Sequence, residues 1–333
     1  MTQLAWPDLP YAEWKDTYET LHMWAQIVGK IRLARMPWLN HTWQVTLYPT
    51  ATGLTTGRMP YGDEAFEIDF DFVVHELNIR TSRGDRGAIQ LVPMTVAQFY
   101  ESLTNALTSL RMPVSIYRRP CEVESPLLFD EDDIHRTYDA EYATRCWRIL
   151  CSAAEVLGRF RSRYYGKVSP IHFFWGSFDL AVTRFSGRIA PPHPGGVPNL
   201  PDRITRDAYS HEVSSAGFWP GGAIAPYPLF YSYAYPEPKG FADAKVQPEA
   251  ARYDSTLHEF VLPYDEMRKA EDPEATLLAF LQSTYAAAAD LGAWDRGSLE
   301  VPMETLGTVD VTSIRESMGH EGALHPGGRT RNT

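Results

Sequence analysis

Cysteine is scarce in this chain: Cys121, Cys146 and Cys151 are the three in 333 residues. An odd number at these spacings offers neither a disulfide framework nor a thiolate metal site. Cys146 and Cys151 fall in a helical pattern, where a buried, inert thiol is the expectation. Long apolar runs are missing too. No stretch approaches the ~18 apolar residues of a membrane helix. Residues 1–20 hold Asp8, Glu13, Lys15, Asp16 and Glu19 where a signal peptide would carry its apolar core. The expected location is cytoplasmic, without membrane contact. Positive charge is also short, with 31 Lys and Arg against 42 Asp and Glu and a net charge of −11. Clusters such as Arg159/Arg161/Arg163 are small, so no nucleic-acid partner is expected. The catalytic signatures H-E-x-x-H, G-x-S-x-G and G-x-G-x-x-G do not occur, which leaves any cofactor unassigned.

Aromatic side chains are abundant instead: 9 Trp, 18 Tyr and 15 Phe, in a chain that is 44% hydrophobic and 22% charged. That composition belongs to a folded globular protein. So many large rings must line a core, a cleft or an interface. The length suits two domains of ordinary size or one large one.

The spacing of Trp14, Tyr18, Leu21, Ala25, Val28 and Ile31 predicts an amphipathic helix over Tyr11–Arg35. Met36-Pro37 ends it. His22, Trp24 and Lys30 of this helix are candidates to face a cleft. Alternation predicts strands at His41–Tyr48, Phe66–Phe72, His75–Arg80 and Ala88–Val92, with Glu67, Asp69 and Asp71 on a wet face. Gly53–Gly57 reads as a hairpin turn. Thr95 caps a helix running to Leu110. The acidic run Asp130–Asp133 reads as the solvated start of a helix. A long helix over Asp139–Arg163 follows, then strands at 171–185, 208–219, 228–236 and 258–262, and helices at 263–269 and 275–291.

This order predicts an α+β fold of two similar halves, each a mainly antiparallel sheet with long helices packed on one face. The N-terminal half is 1–119, a connector spans 120–138, and the C-terminal half is 139–310. Residues 311–333 are expected to be a disordered tail. The halves share an order of elements that suggests an internal duplication, with Trp24/Trp43 corresponding to Trp147/Trp175.

Residues 166–236 concentrate the chemistry. As one strand, 171–185 would place Trp175, Ser177, Asp179 and Thr183 on one side. Tyr231, Tyr233 and Tyr235 share a face of a later strand. Faces of this make-up line ligand pockets and interdomain contacts. The Pro/Gly-rich loop 187–203 is long enough to act as a lid presenting His193.

The candidate catalytic residues are His172, Asp179 and His193. An imidazole titrates near neutrality, so His172 or His193 would be the general acid/base, oriented by Asp179. On one ideal strand His172 and Asp179 face opposite ways, unless Gly176 marks a bulge. Trp175, Arg184, Arg188, His211, Trp219, Tyr231 and Tyr233 are the candidate ligand-binding residues. Arg184 and Arg188 are expected at the mouth of the cleft, where Arg forks bind carboxylate; a salt bridge to Asp179 or Glu212 is their bland alternative.

The function these residues suggest is binding of a small organic ligand in an aromatic, His- and Arg-lined cleft of the C-terminal half. One alternative is a metal-dependent hydrolase or oxygenase using His193 and His211; no spacing in the chain matches a known ligand pattern. Another is a non-catalytic interaction module, which would allow a homodimer.

The runs Leu9-Pro10-Tyr11-x-x-Trp14, Gly29-Lys30-Ile31-Arg32-Leu33, Trp43-x-Val45-Thr46-Leu47-Tyr48 and Ile68-Asp69-Phe70-Asp71-Phe72 resemble a bacterial family of unknown function. So do Lys167-x-Ser169-Pro170-x-His172-Phe173-Phe174-Trp175-Gly176-Ser177-Phe178-Asp179 and Ser210-His211-Glu212-Val213-Ser214. The resemblance spans about residues 8–300. It implies no reaction, ligand or catalytic residue.

Overall fold

A computed structural model describes residues 6–123 and 126–302. The tail expected at 311–333 lies outside the described residues. In chain order the helices are α1 (Tyr11–Arg35), α2 (Val96–Ser109), α3 (Ala140–Ser162), α4 (Asp202–Ala208), α5 (Tyr264–Arg268), α6 (Pro273–Leu291) and α7 (Arg296–Leu299). The first sheet is built from β1 (Tyr48–Pro49), β2 (Gly53–Thr55), β3 (Met59–Tyr61), β4 (Glu64–Asp71), β5 (Glu76–Thr81) and β6 (Arg86–Gln90). The second is built from β7 (His172–Phe174), β8 (Asp179–Ile189), β9 (His211–Trp219), β10 (Leu229–Tyr235), β11 (Arg252–Asp254) and β12 (Glu259–Pro263). Every pairing is antiparallel, in the orders β1-β2-β4-β5-β6, with β3 on β4, and β11-β12-β10-β9-β8-β7. The protein is α+β with two similar halves. A lone bridge between Leu47 and Phe173 ties the edge of one sheet to the edge of the other.

Local signals explain most helix ends. Thr95 accepts the Gln98 N–H while Gln98 reaches back to the Thr95 N–H, a reciprocal capping box. Asp139 caps α3 through the N–H groups of Glu141 and Tyr142. Removing the first cap with Thr95→Ala should cost about 1 kcal/mol, read as a lower urea midpoint at unchanged slope.

Helix α1 departs from its amphipathic pattern. From Thr20 to Arg32 every residue but His22 is buried. The reason is its central position. On one side Trp24 stacks on Phe99 of α2 at 4.7 Å, and Phe99 in turn lies parallel to Phe70 of β4. On another, the helix surface at Gly29 is so close to Trp175 that a Cβ there would stand 2.3 Å from the indole. With Gly29, the ring lies directly on the helix backbone.

In the first sheet, β4 buries Phe66, Ile68 and Phe70 and leaves Glu67, Asp69 and Asp71 half-buried, with Arg80 bridging Glu67 and Asp69 at 3.2 and 2.8 Å. In the second sheet, α3 and α6 cover one face, which carries Leu180, Val182, Ala216, Phe218 and Phe230.

Four expectations need correction. His41–Tyr48 is not a strand: Asn40–Val45 forms a 3₁₀ segment in which His41 and Thr42 adopt left-handed φ of 59°. Long-range bonds impose this, since the Thr42 hydroxyl donates to the Asp207 carboxylate (3.2 Å) and His41 Nδ1 pairs with the Asp207 carbonyl (3.2 Å). Gly53–Thr55, read as a turn, is strand β2, paired on both sides. The acidic run does not start a helix. Asp132 is buried and binds His135 Nδ1 (2.7 Å) and the N–H groups of Ile134 and His135, while α3 begins eight residues later at Ala140. Finally, 171–185 is a hairpin, with a tight turn over Trp175–Phe178 and Phe178 at φ 59°. Register pairs Phe174 with Asp179 and His172 with Ala181, so all four share one face. The turn, rather than a bulge at Gly176, reverses the strand parity.

Candidate functional site

The open face of the second sheet floors a cavity of about 780 Å³. Alternation along β8, β9 and β10 presents Asp179, Ala181, Thr183 and Phe185, then Val213, Ser215 and Gly217, then Tyr231 and Tyr233. Cross-strand register lines up Ala181, Gly217 and Tyr231 in one rung, and Thr183, Ser215 and Tyr233 in the next. Gly217 is the reason Tyr231 can act two strands away. A Cβ at 217 would stand 2.6 Å from the Tyr231 hydroxyl oxygen and 2.1 Å from the Leu180 carbonyl oxygen. Without it, the phenol lies across β9 and donates to Asp179 Oδ2. The Ser177 hydroxyl donates to Asp179 Oδ1. In the next rung Tyr233 shares a hydrogen bond with Tyr209 at 2.7 Å, and Thr183 with Ser215 at 2.8 Å.

The walls come from the whole chain. Trp175, seated on α1, donates its indole N–H to the Val45 carbonyl at 2.7 Å. Lys30, Trp43, Val45 and Tyr117 belong to the first half, Cys121 and Glu122 to the connector, and Asn199, Leu200 and Tyr209 to the loop and the segment just after α4. The cleft expected within the C-terminal half is therefore a cavity between the halves. The 3₁₀ segment and α4 close it because His41 and Thr42 bond to Asp207.

Three carboxyls, two lining this space and one beside it, have no basic partner among the described residues. Asp179 is 8% exposed, and burial raises its pKa although Ser177 and Tyr231 donate to it. Glu122 lies against Gly176, lines the cavity and is exposed there; partial desolvation and the nearby Asp179 raise its pKa. Glu259, on the same sheet face in β12, is lifted to about 8 by burial and by Asp179 and Asp254. The Tyr231 phenol is held well above its ordinary value by burial and the nearby Asp179. At the other side stands Lys30, 7% exposed, with its Nζ 5.8 Å from the Trp175 ring and 5.7 Å from the Tyr117 ring. No hydrogen bond or ion pair holds it among the described residues, and burial lowers its pKa.

Of the residues singled out in the sequence, Trp175, Asp179, Tyr231 and Tyr233 meet in this cavity, as does Lys30. The others stand elsewhere. His172 is on the right face but sealed beneath Trp43, Tyr48 and Phe174, 1% exposed, with Nδ1 unpartnered among the described residues. Burial and the charges of Arg32 and Arg161 depress it to about 4, so it is a neutral ring at pH 7. Asp179 therefore orients no imidazole; its partners are hydroxyls. Arg184 has the parity of Leu180 and Val182 and points to the helix side. Its guanidinium lies 3.5 Å over Phe160, 4.3 Å from Tyr285 and 4.9 Å from Tyr164, and burial lowers it to about 10. Arg188 pairs with Glu212 at 2.6 Å and donates to the Gly292 and Ala293 carbonyls. His193 stacks on Tyr209 at 4.8 Å and accepts the Gly195 N–H, outside the cavity lining. His211 sits edge-on to His41 at 5.8 Å, and Trp219 packs on the same cluster as Ala181 and Tyr231 without itself lining the cavity. His22 bonds to the Gly176 carbonyl and Trp24 is core.

Glu122 carried no signal in the sequence: it stands in an irregular segment with no periodicity to assign it a face. Tyr209 was hidden in the same way by the unpredicted helix α4. Among the described residues no group of three or more His, Cys, Asp or Glu is placed to hold a metal ion, so His193 and His211 have no third donor there. No helix among them is long and apolar enough to cross a membrane.

No curated protein and no solved structure matches the chain. A match spanning residues 6–301 places it in a protein family: the chain belongs to the Family of unknown function (DUF5996).

Proposed function

We propose that the protein binds a small organic molecule in the cavity between its halves. The apolar body of that molecule is held between Trp175 and the tyrosines of β10, and its polar end is read by the Asp179–Tyr231 pair. The observation that carries this reading is Tyr231 reaching across Gly217 to a buried carboxylate inside a cavity of ligand size. The reading replaces the expected imidazole and guanidinium with carboxyl and phenol groups. Should the bound molecule react, Glu122 is the candidate acid/base group, because its carboxyl lines the cavity beside Gly176.

The test is native mass spectrometry of the purified protein against the same sample denatured, followed by calorimetric titration with the molecule released. Asp179→Asn and Tyr231→Phe should each weaken its binding about tenfold, the ~1.4 kcal/mol expected for a buried charge-assisted hydrogen bond. Unchanged affinity in both variants would remove the site. Dimer peaks without any small adduct would favour the interaction-module reading.

A further inference from the structure

We propose that Lys30 is a nucleophilic amine that condenses with the carbonyl group of an aldehyde or ketone, forming an imine inside the cavity. The proposal rests on the reading of this cavity as the ligand site.

Position comes first. Lys30 lies in the penultimate turn of α1, nine-tenths buried, with its amine open to the cavity. Gly29 beside it lets the Trp175 indole lie on the helix, and Tyr117 stands on the other side, so two rings flank the nitrogen at 5.8 and 5.7 Å. That slot suits a planar sp² group.

The second observation is the absence of a counter-ion. A buried ammonium ordinarily finds a carboxylate, because an unpaired buried charge is expensive. Lys30 has no such partner among the described residues. The nearest titratable influence on it is Cys121, whose thiol burial pushes up to about 12, so it is neutral at pH 7 and does not pin the lysine as a cation. Desolvation then favours the free amine, the form that attacks carbonyl carbon. Lys167 provides the contrast. It stands outside the cavity lining, and its nitrogen is bonded to His41 Nε2 and lies near Asp207.

Third, a carboxyl able to relay protons, Glu122, lines the same cavity. In the reaction the Lys30 lone pair forms a C–N bond while the carbonyl π pair moves to oxygen, which takes a proton from the Glu122 carboxyl. The carbinolamine then breaks its C–O bond. Water leaves with a second proton, nitrogen gives up its own, and Glu122 is returned to its starting form. Amine and carbonyl become imine and water, with no net oxidation or reduction. Arg119 and Arg203, which line the cavity with no ion pair among the described residues, suit a carbonyl compound that also carries an anionic group.

The experiment is reductive trapping on the intact chain. Propanal, small enough to enter whatever the preferred shape, and phenylpyruvate, which adds a ring and a carboxylate, are each incubated with the protein and sodium cyanoborohydride at pH 7. Peptide mapping then locates the secondary amine. The expected result is one adduct, on Lys30. It should form at least about tenfold faster than at Lys15, Lys167, Lys239, Lys245 or Lys269, because Lys30 is buried without a counter-ion. Lys30→Met should abolish it and Lys167→Met should leave it. Adducts spread evenly over the lysines would overturn the proposal. So would phenylpyruvate bound saturably in native spectra without any reducible adduct; Lys30 would then be an anion-binding ammonium and the cavity reading would survive. Failure of both probes to modify Lys30 or occupy the cavity would sink the two readings together.

Discussion

Gly217→Ala should lower stability by about 3 kcal/mol and detach Tyr231 from Asp179, a large effect for one methyl group. The added carbon would stand 2.1 Å from the Leu180 carbonyl oxygen and 2.6 Å from the Tyr231 hydroxyl oxygen. The first contact is with backbone of the neighbouring strand, which cannot swing aside as a side chain would. Either β8 and β9 separate or the glycine's own strand twists. The Tyr231 ring must also lift off β9, and Asp179 then keeps only its bond from Ser177 while remaining buried. Urea unfolding gives the stability change, and titration of the bound molecule gives the functional one. Comparison with Tyr231→Phe separates the two causes, since that variant loses the hydroxyl without disturbing the strands. A Gly217→Ala protein as stable as the parent would mean that Tyr231 does not lie over β9.

The second large effect is on the pH dependence of stability. Burial lifts Glu259 from 4.5 in the unfolded chain to about 8 in the folded one. Between those limits the folded state binds the extra proton, so this group makes stability fall as pH rises from about 4.5 to about 8. Two buried histidines work the other way. His22 and His172 are depressed by burial from 6.5 to about 4, so the unfolded state binds the extra protons and stability is lost as pH falls through 6.5 toward 4. Below pH 6.5 the two histidines outweigh the one carboxyl, and above it the carboxyl acts alone. Stability should peak near pH 6.5 and decline toward pH 8, opposite to a protein held by carboxylate ion pairs. Glu259 faces Asp179 and Asp254 together with Tyr209, Tyr231 and Tyr233, none of them basic. Glu259→Gln should therefore flatten the alkaline limb in denaturant titrations at pH 6.5, 7.25 and 8. An unchanged limb would show that this carboxyl ionises freely in the folded protein.

What could be read without coordinates follows a physical line. Tyr11–Arg35, Val96–Ser109 and Ala140–Ser162 were legible because each carries a helical period and, in the latter two, a side-chain cap. The wet face of β4 and the shared face of Tyr231 and Tyr233 were legible because strand parity is a local property. Parity also places Arg184 with Leu180 and Val182 rather than with Asp179, so its absence from the cavity was already implicit in the sequence. His172 is different. Its face depends on the turn Trp175–Phe178, and its burial depends on Trp43 and Tyr48 from another sheet.

By itself, then, the sequence determined the α+β class, most of the long elements and which residues share each face, because helix and strand periods are set by neighbours in the chain. Tertiary structure decided the site. It brought Lys30, Glu122 and Asp179 to one cavity and sealed His172 away from it. Gly29 makes room for the Trp175 ring, and Gly217 for the Tyr231 ring and the Leu180 carbonyl. Those contacts join residues far apart in sequence, and no local pattern records which faces will meet.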